Sequence, residues 1–237
     1  MATRDYLAII DEIVAAGVGR NISLKLTQLG LDSRSRDGAR QLAPHPRSRR
    51  RRDGFFVRID MENSPYTEVT LDVFETLWGL GYRNLGVVLQ SALHRTEADL
   101  TRVLALGARV RLVKGAYKEP ASVAYQRKAG CGRGVSAADG NAPAIGHVPA
   151  LATHDPEIID RAKPFVAHAG IAKDRFEFQM LYGVRRDLQA SLARAKATAC
   201  ACTSRSGGQW FPYFMRRLGR TPRQASACRP QPLPREL

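Results

Sequence analysis

Apolar residues along this chain recur in two alternating periods. Over residues 6–16 they stand at helical spacing (Leu7, Ile9, Ile10, Ile13, Val14), and Gly17 and Gly19 follow as terminators. Over 21–26 the pattern switches to strand alternation, with Ile22, Leu24 and Leu26 separated by polar residues. A second strand is predicted over 55–60, an amphipathic helix over 68–79 and a third strand over 85–90, after a turn at Gly81 and Tyr82. The unit then repeats as helix 97–106, strand 110–114, strand 148–153, helix 156–167, strand 176–181 and a helix from 186 to about 193. Strands alternating with helices, with no hairpin signal between them, predict parallel βαβ units and the α/β class. Periodicity alone leaves a barrel and a doubly wound sheet both open. In either architecture chemistry belongs at the C-terminal ends of the strands, which is where Asp60, Gln90, Lys114, His154 and Gln179 stand.

Three stretches interrupt the alternation: 33–52, 129–145 and 193–206. Each falls where a helix or strand is due and carries Gly, Arg, Ser, Pro and Cys instead. The genetic code supplies an explanation. Residues 197–205 can be written in codons whose neighbouring frame reads Gly-Tyr-Arg-Val-Arg-Val-Tyr-Val-Pro, a well-patterned strand. Residues 130–144 can likewise encode Asp-Val-Asp, a Tyr and a Leu-Met-Glu-Met-Leu-Leu run, and 41–47 permit Asn-Leu-x-Arg-Ile-Leu, both helical. The missing element type returns each time, so we read the three stretches as out-of-frame translations of an ordinary gene. Base insertions or deletions in the codons for these stretches would confirm that reading.

This changes the meaning of the composition. At 237 residues and 44% apolar content the chain can bury one sizeable core, which predicts a single domain over 1–218 and an irregular tail over 219–237. A net charge of +15 would ordinarily point to nucleic acid or an anionic surface. Much of it, however, lies in the interrupted stretches and the tail, including Arg47, Arg49, Arg50, Arg51 and Arg52. No aromatic residues interleave that cluster, so an RNA-binding role is not expected. Cys200 and Cys202 form a CxC with no second Cys/His pair at zinc spacing, so no metal is expected either. No run approaches the roughly 18 apolar residues of a spanning helix, and the N-terminus lacks a secretory layout; a cytoplasmic location is the expectation.

Seven segments, in order, resemble the monofunctional bacterial proline dehydrogenase family: Ile22-Ser-Leu-Lys-Leu-Thr-Gln-Leu-Gly30, Val57-Arg-Ile-Asp-Met-Glu-Asn-Ser64, Val87-Val-Leu-Gln90, Arg111-Leu-Val-Lys-Gly-Ala-Tyr117, Ala152-Thr-His-Asp155, Phe176-Glu-Phe-Gln-Met-Leu-Tyr-Gly183 and Trp210-Phe-Pro-Tyr-Phe-Met-Arg-Arg-Leu218. The resemblance implies a (βα)8 TIM-barrel-like fold, here incomplete at its N-terminus, because the strand at Ile22 resembles the family's second. Two open sheet edges would follow. It also implies FAD-dependent oxidation of L-proline to 1-pyrroline-5-carboxylate, with electrons passed to a quinone at the membrane surface, so that a cytoplasmic protein would work peripherally at the inner face of the plasma membrane.

Removing a hydride from the carbon beside a secondary amine needs the substrate held flat against the flavin with its carboxylate fixed. Adjacent guanidinium groups suit that carboxylate, since a planar fork pairs bidentately where an ammonium is a point charge. By resemblance Arg216 and Arg217 clamp the carboxylate together with Lys25. Tyr213 packs on the proline ring, Asp60 and Ala116 border the substrate pocket, and Leu181 gives apolar contact. The resemblance further assigns Gln90, Arg111, Lys114, Gly115, Ala116, Thr153, His154 and Gln179 to the cofactor, with Arg111 approaching the flavin N5 and Asp60 free to order Lys25 or an arginine. Each has an ordinary structural alternative: a solvated helix end for the arginine pair, a core leucine for Leu181, a satisfied histidine for His154. The chain departs from the family where the Tyr-Val-Pro tyrosine is absent and where Gly219 or Arg220 replaces an expected acidic residue. An inactive, frame-damaged remnant that binds no cofactor is the alternative reading.

Overall fold

The computed structural model describes residues 2–31, 54–126, 150–168, 172, 176–195 and 199–203. The expected interruptions at 33–52 and 129–145 and the tail 219–237 lie outside the described residues, so the domain boundaries proposed for them do too. The elements are α1 (Ala2–Ala15), β1 (Asn21–Leu24), β2 (Phe56–Ile59), α2 (Thr67–Gly79), β3 (Leu85–Gln90), α3 (Thr96–Ala105), β4 (Arg109–Val113), β5 (Ala150–Ala152), α4 (Pro156–His168), β6 (Glu177–Leu181), α5 (Arg186–Ala195) and β7 (Ala199–Thr203). Every strand and helix read from periodicity is present, with ends shifted by a few residues. The first strand stops at Leu24 rather than 26, because Leu26 turns into a 3-10 segment, Thr27–Leu29, closed by Gly30 at φ 95°.

All neighbouring strands are parallel, in the order β1-β2-β3-β4-β5-β6-β7. A doubly wound sheet reverses its strand order at a switch point. Sequential order throughout is the topology of a barrel wall. Curvature follows from one ion pair, Arg58 on β2 with Glu177 on β6, 3.6 Å apart. In a flat sheet those strands would stand four steps of about 4.8 Å apart, about 19 Å, with parallel side chains that never meet. The wall is therefore curled. Among the described residues β1 and β7 are its two edges, as expected of an incomplete (βα)8 barrel.

Residues 199–203, within the third interrupted stretch, form a strand paired with β6 from Glu177↔Ala199 to Leu181↔Thr203. The ladder is made of backbone groups, so small side chains suffice.

Parallel partners share a face, and the register sorts the side chains cleanly. Outward from the wall point Ile59, Leu85, Val87, Leu89, Val110, Leu112, Leu151, Phe178 and Met180, which join Leu71, Phe74, Leu77, Val103, Ile159, Val166 and Leu192 of the surrounding helices in one buried cluster. Fully burying each such side chain contributes roughly 1.5–3 kcal/mol. Inward point three rows: Ser23, Arg58, Gly86, Arg109; then Val88, Arg111, Ala150, Glu177; then Gln90, Val113, Ala152, Gln179, Ala201. Helix α1 closes a satellite cluster, with Ile10 buried against Ile22 and Phe55.

Two carboxylates clamp the loops at the C-terminal rim. Glu62, after β2, accepts from the Thr27 N–H at 3.1 Å and the Thr27 hydroxyl at 2.8 Å, tying down the turn that follows Lys25. Glu119, after β4, accepts from the Ser64 N–H at 2.8 Å and the Ser64 hydroxyl at 2.6 Å. The loops after β1, β2 and β4 are thereby linked in series.

At Gly86 a Cβ would lie 2.6 Å from the Phe56 ring and 2.7 Å from the Arg109 carbonyl oxygen. Gly86→Ala is therefore expected to lower the unfolding free energy by about 1–3 kcal/mol, read by urea denaturation, since the backbone cannot yield. Glu62→Ala removes both acceptors of the Thr27 clamp and should destabilise by about 2–3 kcal/mol. Amide exchange at Thr27 should accelerate in that variant while exchange in β3 and β4 stays slow; equal acceleration everywhere would refute the clamp.

Candidate active site

The curled wall gathers the sequence-predicted polar residues on one rim. Lys25 follows β1, Asp60 follows β2, Gln90 ends β3, Lys114, Gly115 and Ala116 follow β4, Thr153 and His154 follow β5, and Gln179 and Leu181 lie on β6. At its centre is Arg111, which is 8% exposed. One guanidinium nitrogen donates to Asp60, and another donates to the Gln179 Oε1 at 3.2 Å. Of the two groups Asp60 was expected to order, it is an arginine that it holds. Gln179 in turn donates its Nε2–H to Glu177 at 2.5 Å. Glu177 pairs with Arg58, whose own guanidinium also donates to Asn21 at 3.4 Å. A chain of donors and acceptors thus crosses the concave face from β2 to β6 and back to the β2 end.

The face is cationic. Arg58, Arg109 and Arg111 meet Asp60 and Glu177 there, and the Arg58 and Arg109 guanidinium groups lie 5.1 and 4.4 Å from the Phe56 ring centroid. Burial, then repulsion from Arg111, pushes Arg58 down to about 10. An arginine remains charged at neutral pH even so. The Nε atoms of Arg109 and Arg111 are buried with no hydrogen-bond partner among the described residues. The electrostatics suit a group that carries or develops negative charge.

Around this centre the other residues take distinct places. Gln90, 4% exposed, donates its Nε2–H to the Glu62 carbonyl at 2.7 Å. Its Oε1 leaves no room beside Gly115, where a Cβ would stand 2.9 Å away and where φ is +101°. Glycine is required there on both counts. Lys114 and Ala116 are exposed on the same loop, and Lys25 is half-buried. The Thr153 hydroxyl accepts from the Asp155 N–H at 3.1 Å. His154 accepts from the Leu181 N–H through Nε2 at 3.0 Å, which makes it a structural link between β5 and β6 whatever else it does. Leu181 is half-buried at the strand end. The remaining expected residues, Tyr213, Arg216 and Arg217, lie outside the described residues.

Arg58, Arg109, Glu177, Glu62 and Glu119 were not singled out from the sequence. A signal existed for the first three: charged residues at the inward parity of strands whose other face is wholly apolar.

Comparison with known proteins agrees with this architecture. The family model for proline dehydrogenase matches residues 3–129. The chain is 40% identical over 225 residues to the proline dehydrogenase of Deinococcus radiodurans, covering 94% of this chain and 72% of that one. It is 36% identical over 220 residues to proline dehydrogenase 2 of Bacillus subtilis strain 168, covering 93% and 72%. Among solved structures, the proline utilization A of Bdellovibrio bacteriovorus inactivated by N-propargylglycine superposes with a TM-score of 0.72 at 25% identity, over 83% of this chain and 24% of that chain. A proline utilization A variant of Bradyrhizobium japonicum gives 0.71 at 24% identity, over 88% and 25%, a likeness of fold. This chain thus spans about a quarter of those longer proteins. A curled parallel wall with a polar concave rim, matched over nine-tenths of the chain to curated relatives, belongs to the proline dehydrogenase family.

Proposed function

We propose that this chain binds FAD at the concave rim and oxidises L-proline to 1-pyrroline-5-carboxylate, with a membrane quinone as final acceptor, met from the cytoplasmic side at the inner face of the plasma membrane. The observation that carries the reading is Arg111. Its guanidinium is buried and held between Asp60 and Gln179, and its Nε–H lacks a partner among the described residues.

That donor set fits a flavin. The unsatisfied Nε–H and the surplus of arginine on the concave face favour an anionic reduced ring. Gln90, Arg111, Lys114, Gly115, Ala116, Thr153, His154 and Gln179 are the residues we assign to holding it. When bound, FAD supplies the two-electron acceptor that no protein side chain can provide. The rest falls to the chain itself. Lys25, two residues before the Thr27 that Glu62 clamps, with Arg216 and Arg217, fixes the proline carboxylate; Tyr213 and Leu181 confine the ring, and Ala116 leaves room beside it. Asp60 holds Arg111 in place and so keeps the guanidinium charge in the pocket. With every group positioned before reaction, the step avoids the roughly hundredfold loss that an ångström of misalignment brings. No protein nucleophile is needed.

Titration of the purified full-length chain with FAD should quench flavin fluorescence at one site per chain. Anaerobic L-proline should then bleach the flavin absorbance, and a soluble quinone should restore it. Arg111→Met removes a charge-assisted donor pair and is expected to weaken FAD binding by about 10- to 100-fold. Absence of flavin binding by the unsubstituted chain would overturn the proposal and leave the inactive remnant as the correct reading.

A further inference from the structure

The Gln179 carboxamide sits between an acceptor-only group and a donor-only group. A carboxylate can only accept, and a guanidinium can only donate. With Glu177 at 2.5 Å from its Nε2 and Arg111 at 3.2 Å from its Oε1, the amide has one orientation that satisfies both neighbours. If the acceptor at 177 were lost, either face of the amide could turn toward Arg111, and the NH2 face would oppose it donor to donor. Glu177 is itself fixed by Arg58, whose side chain is 6% exposed, against 16% for the glutamate. Glu177 and Gln179 share the inward face of β6 at a spacing of two, so backbone geometry holds the pair together.

We propose that Glu177 is a positioning residue: by accepting from Gln179 it fixes the amide orientation, and through that amide it holds the Arg111 guanidinium at the angle the bound flavin meets. This rests on the proposed flavin role of Arg111. Glu177 touches neither the assigned substrate residues nor Arg111 through any hydrogen bond or ion pair described, and its effect travels through one carboxamide. Arg58 acts one link further back, as the cation that aims Glu177.

Two substitutions separate this role from bulk electrostatics. Glu177→Met and Glu177→Gln both remove the charge, but only the glutamine can still accept from Gln179. The full-length chain, its two variants and Gln179→Leu are compared in two ways. Without flavin, the Gln179 side-chain NH2 signals, assigned by their loss in Gln179→Leu, are followed by proton exchange in 15N spectra. Exchange should quicken at least tenfold in Glu177→Met and stay within threefold of the parent in Glu177→Gln. With FAD, Kd should rise at least fivefold in Glu177→Met and Gln179→Leu, and stay within twofold in Glu177→Gln. The flavin reduction potential should fall in the first two and hold in the third. Adding Glu177→Met to Arg111→Met should change Kd less than twofold further.

Equal behaviour of Glu177→Met and Glu177→Gln in the exchange measurement would overturn the proposal, because charge and not amide orientation would then be what matters. A chain that binds no FAD yet shows the exchange pattern refutes the flavin reading while upholding the Glu177–Gln179 link. Flavin binding without the exchange pattern does the reverse.

Discussion

A guanidinium brought inside a protein must find acceptors there or lose several kcal/mol of solvation. Among the described residues three arginines face the inside of a curled wall, and the positions of the groups around them follow from that demand. Arg111 takes Asp60 and Gln179; Arg58 takes Glu177 and Asn21; the Arg58 and Arg109 guanidinium groups lie over the Phe56 ring. The contacts of Arg111 with Asp60 and Gln179, of Arg58 with Glu177 and of Arg109 with Phe56 join strands that are not neighbours in the sheet, so they hold the curvature as well as the charge. A flat arrangement of the same ladder would leave Arg58 and Glu177 unpaired.

The division of labour between the two faces follows. The convex face is apolar and packs against helices, where burial of Leu71, Phe74, Val87, Leu89, Phe178 and Ile159 supplies the driving force for folding. The concave face carries alanine, glycine and valine between its polar residues, leaving room beside the guanidinium groups. Gly86 and Gly115 show how tightly that room is set, the first by a backbone carbonyl and the second by the Gln90 amide. The clamps from Glu62 to Thr27 and from Glu119 to Ser64 bring the same economy to the rim, with each carboxylate satisfying a backbone and a hydroxyl donor at once. The candidate site and the apolar core therefore draw on opposite faces of the same strands.

Relatives of the proline dehydrogenase family match over nine-tenths of the chain, which gives the concave rim its chemical context. Within that context the polar chain from Arg58 to Asp60 reads as support for a single guanidinium. Each link is constrained by donor and acceptor type, which is a stronger specification than proximity. Arg111, Asp60 and Gln179 were expected at the site; Glu177 and Arg58, further along the chain, were not singled out.

Hydrophobic periodicity alone was enough to determine the parallel α/β class, the order of the elements and the strand ends that carry polar residues, because helix and strand periods are local properties of a chain packed on one apolar face. Family motifs such as Arg111-Leu-Val-Lys114 and Ala152-Thr-His154 added the barrel and the site assignments. Only the tertiary structure decided that residues 199–203 form a strand as written, that Asp60 serves Arg111, and that His154 links β5 to β6. It alone revealed Glu177 opposite Arg58, 119 positions apart in sequence. Those outcomes depend on sheet curvature and on which donor meets which acceptor across the concave face, and no local pattern of residues encodes a distance between strands four places apart.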